Sequence, residues 1–199
     1  MWEDRYGASE AYLFGTEPAQ MLVENPWLTA DVGGGTVLCV ADGEGRNGVY
    51  LAGCGLQVCS FEQSPTAVAR ARALAEARGV ALEAHEIAWA DWDWDRQFDM
   101  VVGIFIQYAT PAERPAQFAD LSRALRPGGR LVLHGYTPEQ VGLGTGGPPC
   151  ADHMYTEDML RDAFDGWQIE RLAAYERDVQ EGRGHAGHSA LIDVVARKV

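Results

Sequence analysis

Three glycines stand in the spacing GxGxxG within Gly43-Glu44-Gly45-Arg46-Asn47-Gly48. Such a turn between a strand and a helix lays bare backbone N–H groups, and the positive end of the helix, against a bound anion or polar ligand. The spacing fits nicotinamide and flavin enzymes among others, so by itself it names no cofactor. Glu62 lies 19 residues beyond Gly43, at the end of an apolar run, where a carboxylate can accept from both hydroxyls of a ribose. A solvated acid at a strand end is the plainer alternative. A second set of chemistry-bearing residues comes later: Gln107, Tyr108, His134 and Tyr136 at strand ends, then Arg183, His185 and His188 in the stretch Glu181 to His188. Three residues able to carry positive charge suit an oxyanion or a proton delivered near the reacting atom, and the glycines among them suit a lid. A solvated hairpin is the alternative. His185 and His188 as metal ligands would need two more donors, which the sequence does not place.

These residues need a scaffold. Thr36 to Ala41 and Gln57 to Phe61 are short runs of β-formers flanking the glycine loop, with a helix at Val49 to Ala52. Ser64-Pro65 predicts a helix start and Gly79 its end, because serine caps the first turn while proline tolerates the first helical position. Ala81 to Ile87 alternates as a third strand, and Phe98 to Ile106 is continuously apolar, as in a strand buried on both faces. A helix over Pro115 to Leu125 is expected to stop at Arg126-Pro127-Gly128-Gly129 and to lead into a strand from Arg130 to His134. A short helix near Thr156 to Phe164 precedes strands at Trp167 to Tyr175 and Ala190 to Arg197, joined by a long loop from Glu176 to Ser189. Strands alternating with helices predict an α/β, Rossmann-like three-layer sandwich. The sheet would have seven strands, mainly parallel, and a C-terminal antiparallel hairpin.

The chain of 199 residues, 47% hydrophobic, suffices for one domain over 1–199. Its net charge of -13, from 29 acids and 16 bases, argues against nucleic-acid and anionic-lipid partners. Arg70, Arg72 and Arg78 read as one solvated helix face, and so do Asp120, Arg123 and Arg126. The start Met1-Trp2-Glu3-Asp4-Arg5-Tyr6 lacks a secretory pattern and no run is long enough to span a membrane, so a cytoplasmic protein is expected. Cys39, Cys54, Cys59 and Cys150 show no CxxC spacing, and three of them sit in apolar stretches where cysteine packs as a small hydrophobe. No metal site is expected, and oligomeric state is left open.

The motifs GEGRN with its YLA helix, FEQSP, FDMVVGIF and RPGGRLVL resemble class I S-adenosylmethionine (SAM)-dependent methyltransferases, and within them the tellurite-resistance methyltransferase branch. Tyr12-Leu13-Phe14-Gly15-Thr16-Glu17-Pro18 and the later GTGGP are also similar to that branch. The resemblance implies SAM as cofactor, S-adenosylhomocysteine as product, and a segment over 1–30 that caps the cofactor site. It implies cofactor contacts from Tyr12, Asp42, Gly43, Glu44, Gly45, Arg46, Asn47, Glu62, Gln63, Ile104 and Gln107, with Arg46 available to pair with the methionine carboxylate. Ala41 and Ala88 depart from the family's usual acids, so Trp89 and Asp91 stand in as adenine contacts. The implied acceptor is a small molecule of soft or oxyanionic type (tellurite, selenium or thiol); the resemblance carries over only the region of the last loop, and the residues themselves offer His134, Arg183, His185 and His188 to serve it. A non-catalytic binding module and an NAD-dependent oxidoreductase are the rival readings, and the second lacks a second glycine loop or substrate domain.

Overall fold

The computed structural model describes residues 2–182 and 184–199. Arg183, one of the expected acceptor-side residues, lies outside them. Three short helices, α1 (Trp2–Gly7), α2 (Gln20–Glu24) and α3 (Trp27–Ala30), precede the alternation β1 (Thr36–Val40), α4 (Arg46–Gly53), β2 (Gln57–Glu62), α5 (Pro65–Arg78) and β3 (Leu82–Glu86). Then come β4 (Phe98–Ile104), α6 (Arg114–Arg123), β5 (Leu125–Tyr136), α7 (Gln140–Leu143), α8 (Glu157–Ala163), β6 (Gln168–Glu181) and β7 (His185–Arg197). The strands form a seven-stranded sheet in the order β3-β2-β1-β4-β5-β7-β6. β1, β2 and β3 pair parallel, as do β4 and β5, while β5 and β7 pair antiparallel. This is the mainly parallel α/β sheet that the periodicity predicts.

Two compact units make up the chain: residues 2–93 with 181, 182 and 184, and residues 94–180 with 185–199. In the first, Leu38, Val40, Leu51, Phe61, Ala67 and Val68 are buried. The α5 caps follow from the sequence: the Ser64 hydroxyl accepts from Ala67 N, and Gly79 closes the helix in the left-handed region at φ 66°. In the second, Met100, Val101, Leu121, Leu131, Val132, Val194 and Val195 are buried, each worth about 1.5–3 kcal/mol of transfer free energy for the larger side chains.

Three boundaries differ from expectation for identifiable reasons. β5 begins at Leu125, because the Pro127-Gly128-Gly129 backbone pairs with the chain end: Gly128 N donates to Lys198 O (2.8 Å) and Lys198 N to Gly129 O (2.9 Å). The register against β4 shifts between Phe98 and Met100 to accommodate it. The expected loop from Glu176 to Ser189 is mostly strand, since β6 runs on to Glu181 and β7 starts at His185. His185 and His188 therefore stand on a strand and not in a lid loop. Cys54 caps the end of α4 and is exposed, unlike Cys39 and Cys59, which are buried. Among the described residues no helix is long and apolar enough to cross a membrane.

Candidate functional site

The glycine loop leaves β1 through Ala41, which takes a left-handed φ of 47°. Gly45 then caps α4 at φ 82°, and a Cβ there would stand 2.5 Å from the Ala71 Cβ, so conformation and packing on α5 both demand glycine. At Gly48 a Cβ would stand 2.6 Å from Asp42 Oδ2, and its absence lets Gly48 N donate to that oxygen at 3.2 Å. The motif's spacing is thus set as much by these close approaches as by any ligand.

The N-terminal segment hydrogen-bonds onto the same loop. Glu44, buried, accepts from Leu13 N (2.7 Å) and pairs with Arg70 (2.7 Å), while Asn47 Oδ1 accepts from Ala19 N (2.8 Å). Glu3 accepts from the Ser64 and Thr66 hydroxyls, each at 2.5 Å, at the start of α5. The Tyr6 hydroxyl stands 2.7 Å from where a Gly43 Cβ would be, and Tyr12 donates to Arg70 O (3.1 Å). Arg46, expected to meet a ligand carboxylate, already holds an anion: its Nη2 lies 2.7 Å from Glu181 Oε2, both side chains being buried, and its Nη1 donates to Glu17 O.

Two carboxylates of this unit carry unmet electrostatic demand. Burial pushes Asp42 up to about 7, against the hydrogen bond from Gly48 and the charge of Arg46, and Glu62 adds like-charge repulsion. Burial also raises Glu62 above the ordinary range, although Ser64, Gln63 and Gly43 donate backbone hydrogen bonds to it. A cation placed beside them would restore their ionised forms. Gln63 and Asp91 are exposed and Trp89 is half-buried, its ring edge-on to Phe61 at 5.8 Å.

In the second unit, Ile104 ends β4 in register with His134 on β5. Gln107 forms a two-way clamp on the Tyr136 backbone, donating to its carbonyl (2.7 Å) and accepting from its N–H (2.6 Å). His134 Nδ1 lies 2.7 Å from Asp193 Oδ1, both buried, and Asp193 also accepts from Arg171 Nε (2.8 Å) and the Tyr175 hydroxyl (3.2 Å). Burial pushes Asp193 up, but His134 and Arg171 outweigh it and hold the carboxyl below its usual range. An anionic Asp193 fixes the proton on Nδ1 and leaves the lone pair on Nε2, as an orienting carboxylate does for a histidine base.

Phe105 follows β4 at φ 58°, a conformation costly for a bulky residue and characteristic of sites where the fold places a side chain deliberately. Its ring stacks on His185 (4.1 Å between centroids) and meets His134 edge-on (4.7 Å), while the Tyr136 hydroxyl and His185 Nδ1 are 2.5 Å apart. The structure thus brings His134 and His185 to one aromatic cluster. His188 is exposed and pairs with Glu176 and Asp178, which raise its pKa. Asp193, Phe105 and Tyr6 escape motif reading, though an acid inside the apolar run Leu191-Ile192-Asp193-Val194-Val195 is itself a signal, because a buried charge needs a partner.

Comparison with known proteins agrees with this architecture. Residues 37–129 match the family described as Methyltransferase domain. The chain is similar to a structure concerned with conversion of a disulfide bond into a thioacetal group during echinomycin biosynthesis, at TM-score 0.80, 22% identity, 99% of this chain and 90% of that one. It is similar to TehB from Haemophilus influenzae at TM-score 0.69, 15% identity, 100% of this chain and 67% of that one. It is also similar to magnesium protoporphyrin IX methyltransferase from Synechocystis PCC 6803 with bound SAH, at TM-score 0.69, 19% identity, 89% and 80% of the two chains. A curated relative, Hemagglutinin 1 of Eikenella corrodens, is 31% identical over 136 residues, which are 64% of this chain and 42% of that protein, so the chain spans about two fifths of its length. Residues 37–129, a little under half of the chain, thus match the methyltransferase-domain model, and the chain shares the fold of these solved structures.

Proposed function

We propose that the protein transfers a methyl group from SAM to a small-molecule sulfur nucleophile, with His134 as the general base. The observation that carries the acceptor side is the buried His134–Asp193 pair at 2.7 Å, beside the strained Phe105. The cofactor side rests on two carboxylates, the half-buried Asp42 and the buried Glu62. SAM carries a sulfonium and an ammonium, whereas a dinucleotide brings a doubly charged pyrophosphate. Asp42 and Glu62 welcome the first and repel the second, and Arg46, the nearby cation, is engaged by Glu181. This disfavours the nicotinamide reading on electrostatic grounds.

Bound SAM supplies an electrophilic methyl on a positive sulfur that leaves as a neutral thioether. In our reading, Glu62 accepts from the ribose hydroxyls, Asp42 and the Gly43–Gly45 backbone line the amino-acid end, and residues 2–30 cap the site. Tyr12 and Trp89 add wall contacts, with Asp91 and Gln63 at the rim. His134 Nε2 takes the thiol proton and the resulting thiolate displaces the methyl in line. A free thiol of pKa about 8.5 needs only a modest base, so histidine is well matched to it. Phe105, Tyr136 and His185 form an apolar, hydrogen-bonded wall that excludes water from the thiolate. The sulfur acceptor is supported by the echinomycin structure, whose subject is a disulfide, and it falls within the soft-acceptor class of the tellurite-resistance branch.

The test is release of S-adenosylhomocysteine and label transfer from methyl-labelled SAM across thiols, tellurite, selenite, amines and catechols. Turnover confined to sulfur acceptors, with loss in His134→Asn, is the expected result. Turnover only with oxygen or nitrogen acceptors overturns the acceptor class, and absence of SAM and S-adenosylhomocysteine binding in calorimetry overturns the whole reading.

A further inference from the structure

Away from the glycine loop, on the first unit's sheet, β2 and β3 pair with Cys59 opposite Glu83 and Phe61 opposite His85. Partners in a parallel register share a face, and so do residues two apart on a strand, so Cys59, Glu83 and His85 project on the same side of the sheet. Their sulfur, oxygen and nitrogen atoms all lie within 4.8 Å of one another. Cys59 is buried at the base of the group, while the side chains of Glu83 and His85 keep 50% and 41% of their exposure. Trp92 closes one side, stacked on Phe61 at 4.8 Å and edge-on to the His85 ring at 5.6 Å, and so restrains the imidazole.

We infer that Cys59, Glu83 and His85 form a binding site for a thiophilic divalent cation of the zinc class. A tetrahedral ion with bonds of about 2.0–2.3 Å holds its ligand atoms roughly 3.3–3.8 Å apart, so these donors need only small rotamer changes. Sulfur and imidazole together select a borderline-soft ion over magnesium or calcium. On binding, the Cys59 thiol gives its proton to solvent and bonds through the thiolate. His85 bonds through a neutral ring nitrogen and Glu83 through its carboxylate. Two negative ligands neutralise the dication, and the half-exposed side leaves the fourth position to water.

The Glu83–His85 contact of 2.8 Å already shows the two heads aimed at one point, with the thiol beneath them. A surface ion pair alone would not require a cysteine at the base. The ion would staple β2 to β3 three residues before Glu62, which gives it a structural role in keeping the ends of these strands in register.

The test uses the full chain, untagged and chelator-treated, with exposed Cys54 and Cys150 changed to serine. Titration with cobalt(II) should give one equivalent bound, a thiolate-to-cobalt charge-transfer band and tetrahedral visible bands, all displaced by zinc(II). Cys59→Ala should abolish the charge-transfer band, while His85→Gln and Glu83→Gln should each weaken binding about tenfold or more with circular dichroism unchanged. Zinc should also raise the melting temperature of the parent and not of His85→Gln. A missing band, a band that survives Cys59→Ala, or equal affinity in parent and His85→Gln overturns the site. His85→Gln keeps the test decisive if the buried cysteine variant fails to fold.

Discussion

The two units handle buried charge differently. Around the glycine loop, Arg46 and Glu181 neutralise one another, yet Asp42 and Glu62 keep raised pKa values, burial outweighing the charge of Arg46 near Asp42 and the backbone hydrogen bonds to Glu62. Around His134 the balance is closed: Asp193 receives His134, Arg171 and Tyr175 and remains anionic. An open electrostatic account suits a pocket completed by a charged ligand. A closed one suits a catalytic group that must keep a fixed protonation state before any ligand arrives.

The largest effect that tests this contrast is on stability. Arg46→Met leaves Glu181 buried without its cation and is expected to cost about 3–5 kcal/mol in urea unfolding. Adding Glu181→Gln should return part of that loss, because the residues act as a pair. Full additivity of the two substitutions would show that Arg46 is not the neutralising partner.

Next in size is the closed account. His134→Asn is expected to lower turnover by about a hundredfold or more through loss of the base. Asp193→Asn should reduce kcat and change its pH profile while leaving SAM binding intact. Unchanged kcat in both variants would remove the dyad from the mechanism.

The difference between the units also explains what the sequence discloses. The glycine loop, Ser64-Pro65 and Gly79 are legible because each is local: a spacing or a cap whose physical reason lies within a few residues. Glu62 is legible as an acid at the end of an apolar run. The partner of His134 is 59 residues away, and Glu181 is 135 residues from Arg46, so only the fold brings them together. The β6–β7 hairpin misleads for a related reason. Glu176 to Ser189 is polar and glycine-bearing and reads as a loop, but residues 176–181 and 185–189 are strand, with alternating exposed and buried positions along 176–181 that composition does not reveal.

A smaller effect concerns the open account. Asp42 moves from an ordinary 3.8 to about 7 on folding, so its contribution to stability is present below 3.8 and is lost as pH rises through about 7. Asp42→Asn should therefore melt higher than the parent above pH 7 and lose that advantage near pH 4. A cationic ligand favours the ionised carboxylates, so SAM affinity should rise between pH 6 and 8, about tenfold per unit pH at most, and more steeply than that of neutral-sulfur S-adenosylhomocysteine. Glu62→Gln should weaken both ligands by about tenfold, the worth of a charge-assisted hydrogen bond. Equal pH slopes for the two ligands would mean that the carboxylates do not sense the sulfonium.

The smallest expected change lies at the entrance to the loop. Ala41 holds φ 47°, where an L-residue with a Cβ is strained by about 1–2 kcal/mol relative to glycine. Glycine would relieve that strain but loses more backbone entropy on folding, about 0.5–1 kcal/mol. Ala41→Gly should thus stabilise the free protein by about 0–1.5 kcal/mol, the difference of those two terms. Its effect on SAM binding separates strain held for function from strain merely tolerated. If the alanine pre-sets the Asp42–Gly43 backbone for the cofactor, the glycine variant will melt higher and bind SAM more weakly. If both stability and affinity rise, Ala41 is a tolerated irregularity, and Asp42 with the Gly43–Gly45 backbone organises the amino-acid end of the site without it.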